Sequence, residues 1–266
     1  MTIAIIIARG GSRRLPRKNV KAFCGHPLVA WAITQARCSH LVDMVFLSTD
    51  DDEIAEIAQR YGASVIRRPD WPDADQASGT RPMAHAVQTC MDLFGSEFDT
   101  LVCMLPTKPL VRPEDIDNTI RAYREFGCDN VAPLRPGRQV IVFKRLNKNR
   151  ARNVIFNKNY DYLIDGLGFN VSSPHWYMNY FMKAQIEMSG DDTDKSADKT
   201  AAIGGGDSYY IPCEYWQYAD VDTADEFEFA ELLMDHYILK GRGMKVYEEY
   251  AMKKAMSDHA GNLAQQ

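Results

Sequence analysis

The residues best equipped for chemistry lie in one stretch, Ala8 to Lys21, which reads ARGGSRRLPRKNVK. Six of its fourteen residues are basic, in a chain that holds 31 Lys and Arg among 266 residues. Arg9, Arg13 and Lys18 are suited to neutralising oxyanions, and the arginine fork matches phosphate in bidentate fashion. Gly10 and Gly11 carry no Cβ, so the backbone can come close to a ligand and offer its amides. The stretch has neither the G-x-x-x-x-G-K-[ST] of a Walker loop nor the G-x-G-x-x-G of a dinucleotide fold, so it is a phosphate loop of another kind. A solvated basic surface loop is the alternative. The Gly-Gly pair directly after an apolar run, and the turn set by Leu15-Pro16, favour binding.

A second constellation is Asp220-Val221-Asp222. On an extended segment, carboxylates at i and i+2 point to one side and can share one hard cation. Mg²⁺ needs few protein ligands, because phosphates and water complete its octahedron. The same residues precede Thr223, Asp225 and Glu226, a favourable helix N-terminus. Both roles stand open at this level, and one pair of residues can serve both.

Those residues need elements to hold them. Ile3–Ala8 is a short β-branched run bounded by glycines, hence a buried strand that delivers the basic loop to its carboxyl end. The spacing predicts helices over Pro27–Arg37, Asp51–Tyr61 and Met83–Phe94, and another opening at Arg112-Pro113-Glu114-Asp115. Between them Val45–Leu47, Ser64–Ile66, Thr100–Met104 and Val131–Pro133 read as strands. Strand and helix in alternation mean βαβ units: an α/β fold with a mostly parallel sheet between two helical layers. In such sheets ligands bind at the carboxyl ends of the strands.

Regularity breaks after residue 134. Residues 135–165 are basic and polar, with an Asn157-Lys158-Asn159 turn that suggests a hairpin. His175–Met188 carries aromatics at helical spacing, and Ser189–Gly206 is of low complexity. Tyr209–Ile211 and Gln217–Ala219 read as strands, and Thr223–Leu239 as an amphipathic helix. The expected organisation is a nucleotide domain over 1–134 and 208–250, an inserted acceptor and dimerisation lobe over 135–207, and a polar tail over 251–266.

Composition narrows the partners. A net charge of −5 gives no footing for nucleic acid or an anionic membrane, and no apolar run spans a bilayer. MTIAIII lacks a positive leader segment and runs into Arg9, so no secretory signal is expected and the chain reads as cytoplasmic. Six cysteines without C-x-x-C spacing read as reduced, packed thiols, and the histidines form no zinc pattern. No G-x-S-x-G elbow seats a nucleophilic serine.

The basic stretch resembles the signature of the CMP-sugar synthetases, the cytidylyltransferases that activate sialic acid and related nonulosonic acids. Their segment close to IPARGGSKRLPRKN stands here as IIARGGSRRLPRKN, followed by Cys24-Gly25-His26-Pro27-Leu28, which is similar to their CGKPL turn. Resemblance continues through Ser48-Thr49-Asp50-Asp51, Arg67-Arg68-Pro69, Ser78-Gly79-Thr80-x-Pro82-x-x-His85, Leu105-Pro106-Thr107-x-Pro109-Leu110 and Asp220-Val221-Asp222-Thr223, in family order. The block around Ser78 looks closest to the pseudaminic acid branch. The resemblance implies a Rossmann-like, GT-A-like nucleotidyltransferase fold, Mg²⁺ as cofactor, CTP and a small anionic acceptor as partners, and a homodimer. It also implies that Arg9, Arg13 and Lys18 hold the triphosphate and, with Asp222, serve catalysis. Ala8, Gly10, Gly11, Ser12 and Asn19 then sit by the nucleotide, and Arg68 with Ser78, Gly79 and Thr80 borders cytosine and ribose. Asp220 and Asp222 match the metal pair, and either also suits the attacking proton.

Departures fall on the acceptor side, where Leu105, Thr107 and Lys108 are the candidate contacts. The family's QPTSPLR becomes Leu105-Pro106-Thr107-Lys108-Pro109-Leu110-Val111, with Arg112 one step on. Leu105 cannot hydrogen-bond a sugar hydroxyl, whereas Lys108 adds a charge for a carboxylate, phosphonate or phosphate. His85, on an amphipathic stretch, receives no chemical role, and Asp50 reads as a strand end that caps the next helix. The expected activity is transfer of CMP from CTP to a nonulosonic acid with release of pyrophosphate. A small phosphonate acceptor and a non-catalytic nucleotide-binding regulator are the alternatives.

Overall fold

A computed structural model describes residues 1–12, 14–69, 71, 80–137, 141–147, 150–156, 162–179 and 208–264. In chain order, β1 (Thr2–Ile7) leads through the basic loop to a small hairpin, β2 (Ala22–Phe23) and β3 (His26–Pro27). Then come α1 (Leu28–Cys38), β4 (Met44–Thr49), α2 (Asp52–Arg60), β5 (Ser64–Arg67), α3 (Thr80–Phe94) and β6 (Thr100–Met104). The second half holds α4 (Pro113–Phe126), β7 (Asn130–Gly137), β8 (Ile141–Asn147), β9 (Arg150–Phe156), β10 (Tyr162–Asp165) and β11 (Phe169–Ser172). A helical stretch at 174–179 follows, then β12 (Ser208–Pro212), α5 (Ala224–Leu233) and α6 (Lys245–Ala264).

The main sheet runs β5-β4-β1-β6-β11-β7-β12, with β10 against the far end of β7. β5, β4, β1 and β6 are mutually parallel, β11 and β10 are antiparallel to their neighbours, and β12 is parallel to β7. The mostly parallel α/β architecture read from the alternation is therefore the one adopted. β1 is apolar from Ile3 onward because both its faces are covered. Ala4 and Ile6 join a cluster with Val29 and Ile33 of α1, Ile57 of α2 and Ile120 of α4. Ile3 and Ile5 join one with Met83, Val87 and Cys90 of α3 and with Tyr177. Those clusters define the two helical layers. A third packs Trp31 of α1 against Phe227, Met234 and Tyr247, docking the C-terminal helices. The buried Trp31 indole N–H donates to the Phe23 carbonyl at 2.7 Å.

Several boundaries differ from the pattern-based ones for definite reasons. The residue that caps α2 is Asp51, whose Oδ1 accepts from the Ile54 amide at 3.0 Å, while Asp50 accepts from Gly10 N at 3.0 Å. Gln217–Ala219 is no strand: Tyr215–Tyr218 forms a 3₁₀ turn because the Gln217 amide is drawn into the interior. Its Nε2 donates to the Leu110 carbonyl at 3.0 Å and to Asp115 at 2.7 Å, and its Oε1 accepts from Glu214 N at 3.0 Å. The segment 135–207 contributes β10 and β11 to the main sheet, while β8 and β9 form a separate hairpin pairing Asn147 with Arg150. Asn157-Lys158-Asn159 and Ser189–Gly206 lie outside the described residues. Residues 251–264 continue α6, and Lys254 Nζ donates to the Val42 carbonyl at 2.8 Å. All six cysteines are free thiols. Among the described residues no helix is long and apolar enough to cross a membrane.

Gln217 ties the segment that carries Asp220 and Asp222 to the start of α4. Gln217→Leu should cost about 2–3 kcal/mol in urea unfolding, because it strands the buried Leu110 carbonyl and Glu214 amide. A loss below about 0.5 kcal/mol would show that this anchor is dispensable.

Candidate active site

The ends of the parallel strands bring the predicted groups together. After β1, Ala8 N donates to the Ser48 carbonyl at 3.0 Å, so the basic loop starts against the end of β4. Gly10 then passes so close to the tip after β4 that a Cβ there would lie 2.4 Å from Asp51 Oδ2. That carboxylate is already committed to Arg17 and to the cap of α2, so it cannot yield cheaply. Gly10 is thus required by close approach. Arg17, with φ 57, stands at the turn, clamped by Asp51 and Glu53. Asn19, buried at 4% exposure, donates to the Arg9 carbonyl at 2.9 Å and closes the loop.

Two polar atoms inside this loop lack partners among the described residues, Ser12 Oγ and Asn19 Oδ1. Buried polar atoms are ordinarily satisfied, so these are places for a ligand's polar groups. Gly11 and the Arg9 side chain are exposed. Arg13 lies outside the described residues.

The other side of the mouth is the segment after β12. Val221 N donates to the Thr107 carbonyl at 2.8 Å, which stitches this segment to the loop after β6. Lys18 reaches across to donate to the Val221 carbonyl at 2.9 Å and to Asp222 Oδ1 at 2.6 Å. Arg14 pairs with Asp222 Oδ2 at 2.5 Å. Burial would push the Asp222 carboxyl up, but the Lys18 hydrogen bond and the charges of Lys18, Arg14 and Arg9 outweigh it and hold it low. The capping question is settled by neighbours. Thr223 Oγ1 accepts from Glu226 N at 3.3 Å, and Glu226 Oε2 accepts from the amides of Asp222 and Thr223 at 2.9 and 2.8 Å. This capping box leaves the Asp222 carboxylate for the basic loop.

Asp220 is half exposed, and its Oδ2 lies 3.9 Å from Lys108 Nζ. Asp220 and Asp222 are hard oxygen donors beside a phosphate-type loop, which suits a hard dication. No third acidic, His or Cys ligand joins them among the described residues.

Of the candidate acceptor residues, Leu105 borders a separate pocket of about 390 Å³. Leu105 lines it with Thr80, Met83, Leu134, Phe169 and Tyr177. Thr80, at the start of α3, thus borders the same pocket as Leu105. Lys108 does not line the pocket but packs on Gly168, which does; at φ +60, a Cβ on Gly168 would lie 2.3 Å from Lys108 Cγ. Thr107 contributes its carbonyl to the Val221 tie. Arg68 turns inward, donating to Ser48 Oγ and to the Ser48 carbonyl at 3.1 and 2.8 Å. Burial lowers the pKa of Arg68, and burial followed by the Arg68 charge lowers that of His85. The His85 ring packs edge-on against Trp71, with Nδ1 buried and without a partner among the described residues. Ser78 and Gly79 lie outside the described residues.

Sequence reasoning passed over Arg14 and Gly168, and gave Asp50 a cap where the structure gives it the Gly10 amide. Arg14 sits inside the flagged basic loop, and its pairing with Asp222 spans 208 residues of chain. Gly168 had no signal beyond Gly-Leu-Gly in an irregular region.

Because Asp222 is held below the ordinary carboxylate value of about 3.9, its stabilisation is present above that pH and lost as pH falls through the folded-state value. Asp222→Asn should therefore flatten the acid-side fall of unfolding free energy below about pH 4. Superimposable pH profiles for the two proteins would remove this ion-pair cluster from the stability account.

Comparison with known proteins places this geometry. The family model described as cytidylyltransferase matches residues 3–163. Pseudaminic acid cytidylyltransferase of Campylobacter jejuni is 39% identical over 129 residues, covering 47% of this chain and 52% of that protein. CMP-N,N'-diacetyllegionaminic acid synthase of Legionella pneumophila is 36% identical over 140 residues, covering 50% and 58%. The chain thus spans about half the length of these curated relatives. A solved CMP:2-keto-3-deoxy-manno-octonic acid synthetase, complexed with CTP, superposes with a TM-score of 0.61 at 18% identity, covering 89% of this chain and 99% of that one. A 4-diphosphocytidyl-2C-methyl-D-erythritol synthase reaches 0.64 at 11% identity, covering 88% and 98%. At such identities these two establish the fold alone. With the family model running from β1 through β10, this chain belongs to the cytidylyltransferase family.

Proposed function

We propose that the chain transfers CMP from CTP to a nonulosonic acid and releases pyrophosphate. The observation that carries this reading is the convergence of Lys18, Arg14 and the charge of Arg9 on Asp222, two residues from Asp220, together with a pocket bordered by the end of β6. In-line attack on the α-phosphorus needs alignment and charge neutralisation more than covalent help. Arg9, which is exposed, would hold the phosphates together with the Gly11 amide and the Ser12 hydroxyl, the Gly10 amide being engaged by Asp50. Lys18 would keep Asp222 oriented and offset the charge it adds.

Asp220 and Asp222 would hold Mg²⁺, which when bound supplies further neutralisation of the phosphate oxygens. Held low by its cations, Asp222 is a poor base. Asp220, half exposed beside Lys108, would take the proton of the attacking hydroxyl. Lys108 would attract the acceptor's carboxylate. A small phosphonate would leave most of the 390 Å³ pocket unfilled, which favours the larger acid.

A homodimer belongs to the same reading. The β8–β9 hairpin pairs only with itself among the described strands, and an isolated two-stranded hairpin needs a packing surface to be stable. A second copy of the chain would supply it. Sedimentation should give about twice 30.1 kDa, and a 30.1 kDa species alone would refute the dimer.

The activity test is pyrophosphate release with CTP, Mg²⁺ and a panel of nonulosonic acids, with and without chelator. Arg9→Ala should lower kcat/KM by about 100-fold or more while leaving the unfolding midpoint unchanged. Binding of CTP without release for any acid would instead favour a nucleotide-binding regulator.

A further inference from the structure

A cavity of about 260 Å³ shares no lining residue with the basic loop or with the Asp220–Asp222 segment. Its walls come from the start of α4, from the π-helical turn Met234–Leu239 with the loop after it, and from the first half of α6. Four cationic side chains line it, Arg112, Lys240, Arg242 and Lys253, against two carboxylates, Glu114 and Glu249. The surplus is two positive charges, in a chain whose net charge is −5.

The two carboxylates do not meet the two lysines. Glu249 accepts from Arg242 Nη1 and Glu114 from the Tyr250 hydroxyl, each at 2.6 Å. Arg112 holds Asp115 through Nε and Nη2, at 3.1 and 2.7 Å, which leaves its Nη1 for another acceptor. Lys253 lies over the Tyr250 ring at 5.9 Å, and neither it nor Lys240 has a carboxylate partner among the described residues. Like charges brought to one cavity repel, and an anion among them removes that cost.

Lys240 adds a second observation. It stands at φ 51 and ψ 45, in the left-handed region where a side chain is strained and glycine is not. The turn is fixed by Gly241 N on Asp235 Oδ1 at 3.1 Å and by Arg242 N on the Leu239 carbonyl at 2.9 Å. A cation is thus held on the cavity wall at the expense of backbone energy.

We propose that this cavity binds a phosphoryl dianion, either free or as part of a nucleotide. Its tetrahedral oxygens can accept from cations on three different elements, and its two charges match the surplus. A planar monocarboxylate would leave one of those charges uncompensated.

The test is an NMR titration of the Gly241 and Gly243 amides with inorganic phosphate, pyrophosphate and CMP. Sodium chloride and acetate at matched ionic strength serve as references. At least one phosphoryl compound should give saturable shifts where the references do not, and the tightest of the three identifies the source. Combining Lys240→Gly, which relieves the backbone, with Lys253→Gln should raise that Kd by about 10-fold or more at an unchanged unfolding midpoint. Arg112 stays in place because Asp115, which it holds, also accepts from Gln217. No saturable shift with any phosphoryl compound, an equal response to acetate, or undiminished affinity in the folded double variant would overturn the proposal.

Discussion

The contact between Lys18 and the Val221–Asp222 segment is the constraint on which the site depends. One ammonium donates to a backbone carbonyl at 2.9 Å and to a carboxylate at 2.6 Å, across more than 200 residues of chain. It joins the loop after the first strand to the segment after the last one. With Val221 N on the Thr107 carbonyl, three strand ends are tied at one point. The arrangement holds because each charge has a counter-charge: Asp222 faces Lys18 and Arg14, and Asp220 faces Lys108. A partly buried carboxylate without such partners would be costly, and a basic loop without the carboxylates would repel itself.

Sheet architecture supplies the rigidity that this point needs. β1 lies between β4 and β6, covered on both faces, so the loop that leaves it starts from an immobile base. Gln217 and the capping box of Thr223 and Glu226 do the same for the acidic segment, one from the interior and one from the helix start. Function then occupies what the strands leave at their carboxyl ends, where the helices cannot cover the sheet.

The basic loop and the pocket at the end of β6 differ in how local their signals are. Gly10, Gly11, Arg9, Lys18 and Asn19 all lie within eleven residues, so composition alone marked the loop. The pocket takes Leu105 from just after β6, Met83 from α3, Leu134 from β7, Phe169 from β11 and Tyr177 from the stretch after it. No linear window contains that set. Gln217–Ala219 was misread as a strand for a related reason: its aromatic and apolar residues suit one, but the buried amide of Gln217 needs partners that only the turn provides.

By itself the amino-acid sequence determined the α/β alternation, the strand and helix cores, the basic loop and the acidic pair, because periodicity, capping and charge density act over a few residues. Tertiary structure alone decided which cation meets which carboxylate, and that Thr223 caps α5 so that Asp222 stays with the basic loop. It also decided that β11 enters the main sheet beside β6 and that Leu105 borders a pocket with Met83, Phe169 and Tyr177. These are outcomes of long-range pairing, in which burial and charge compensation are satisfied only once distant segments share one strand edge.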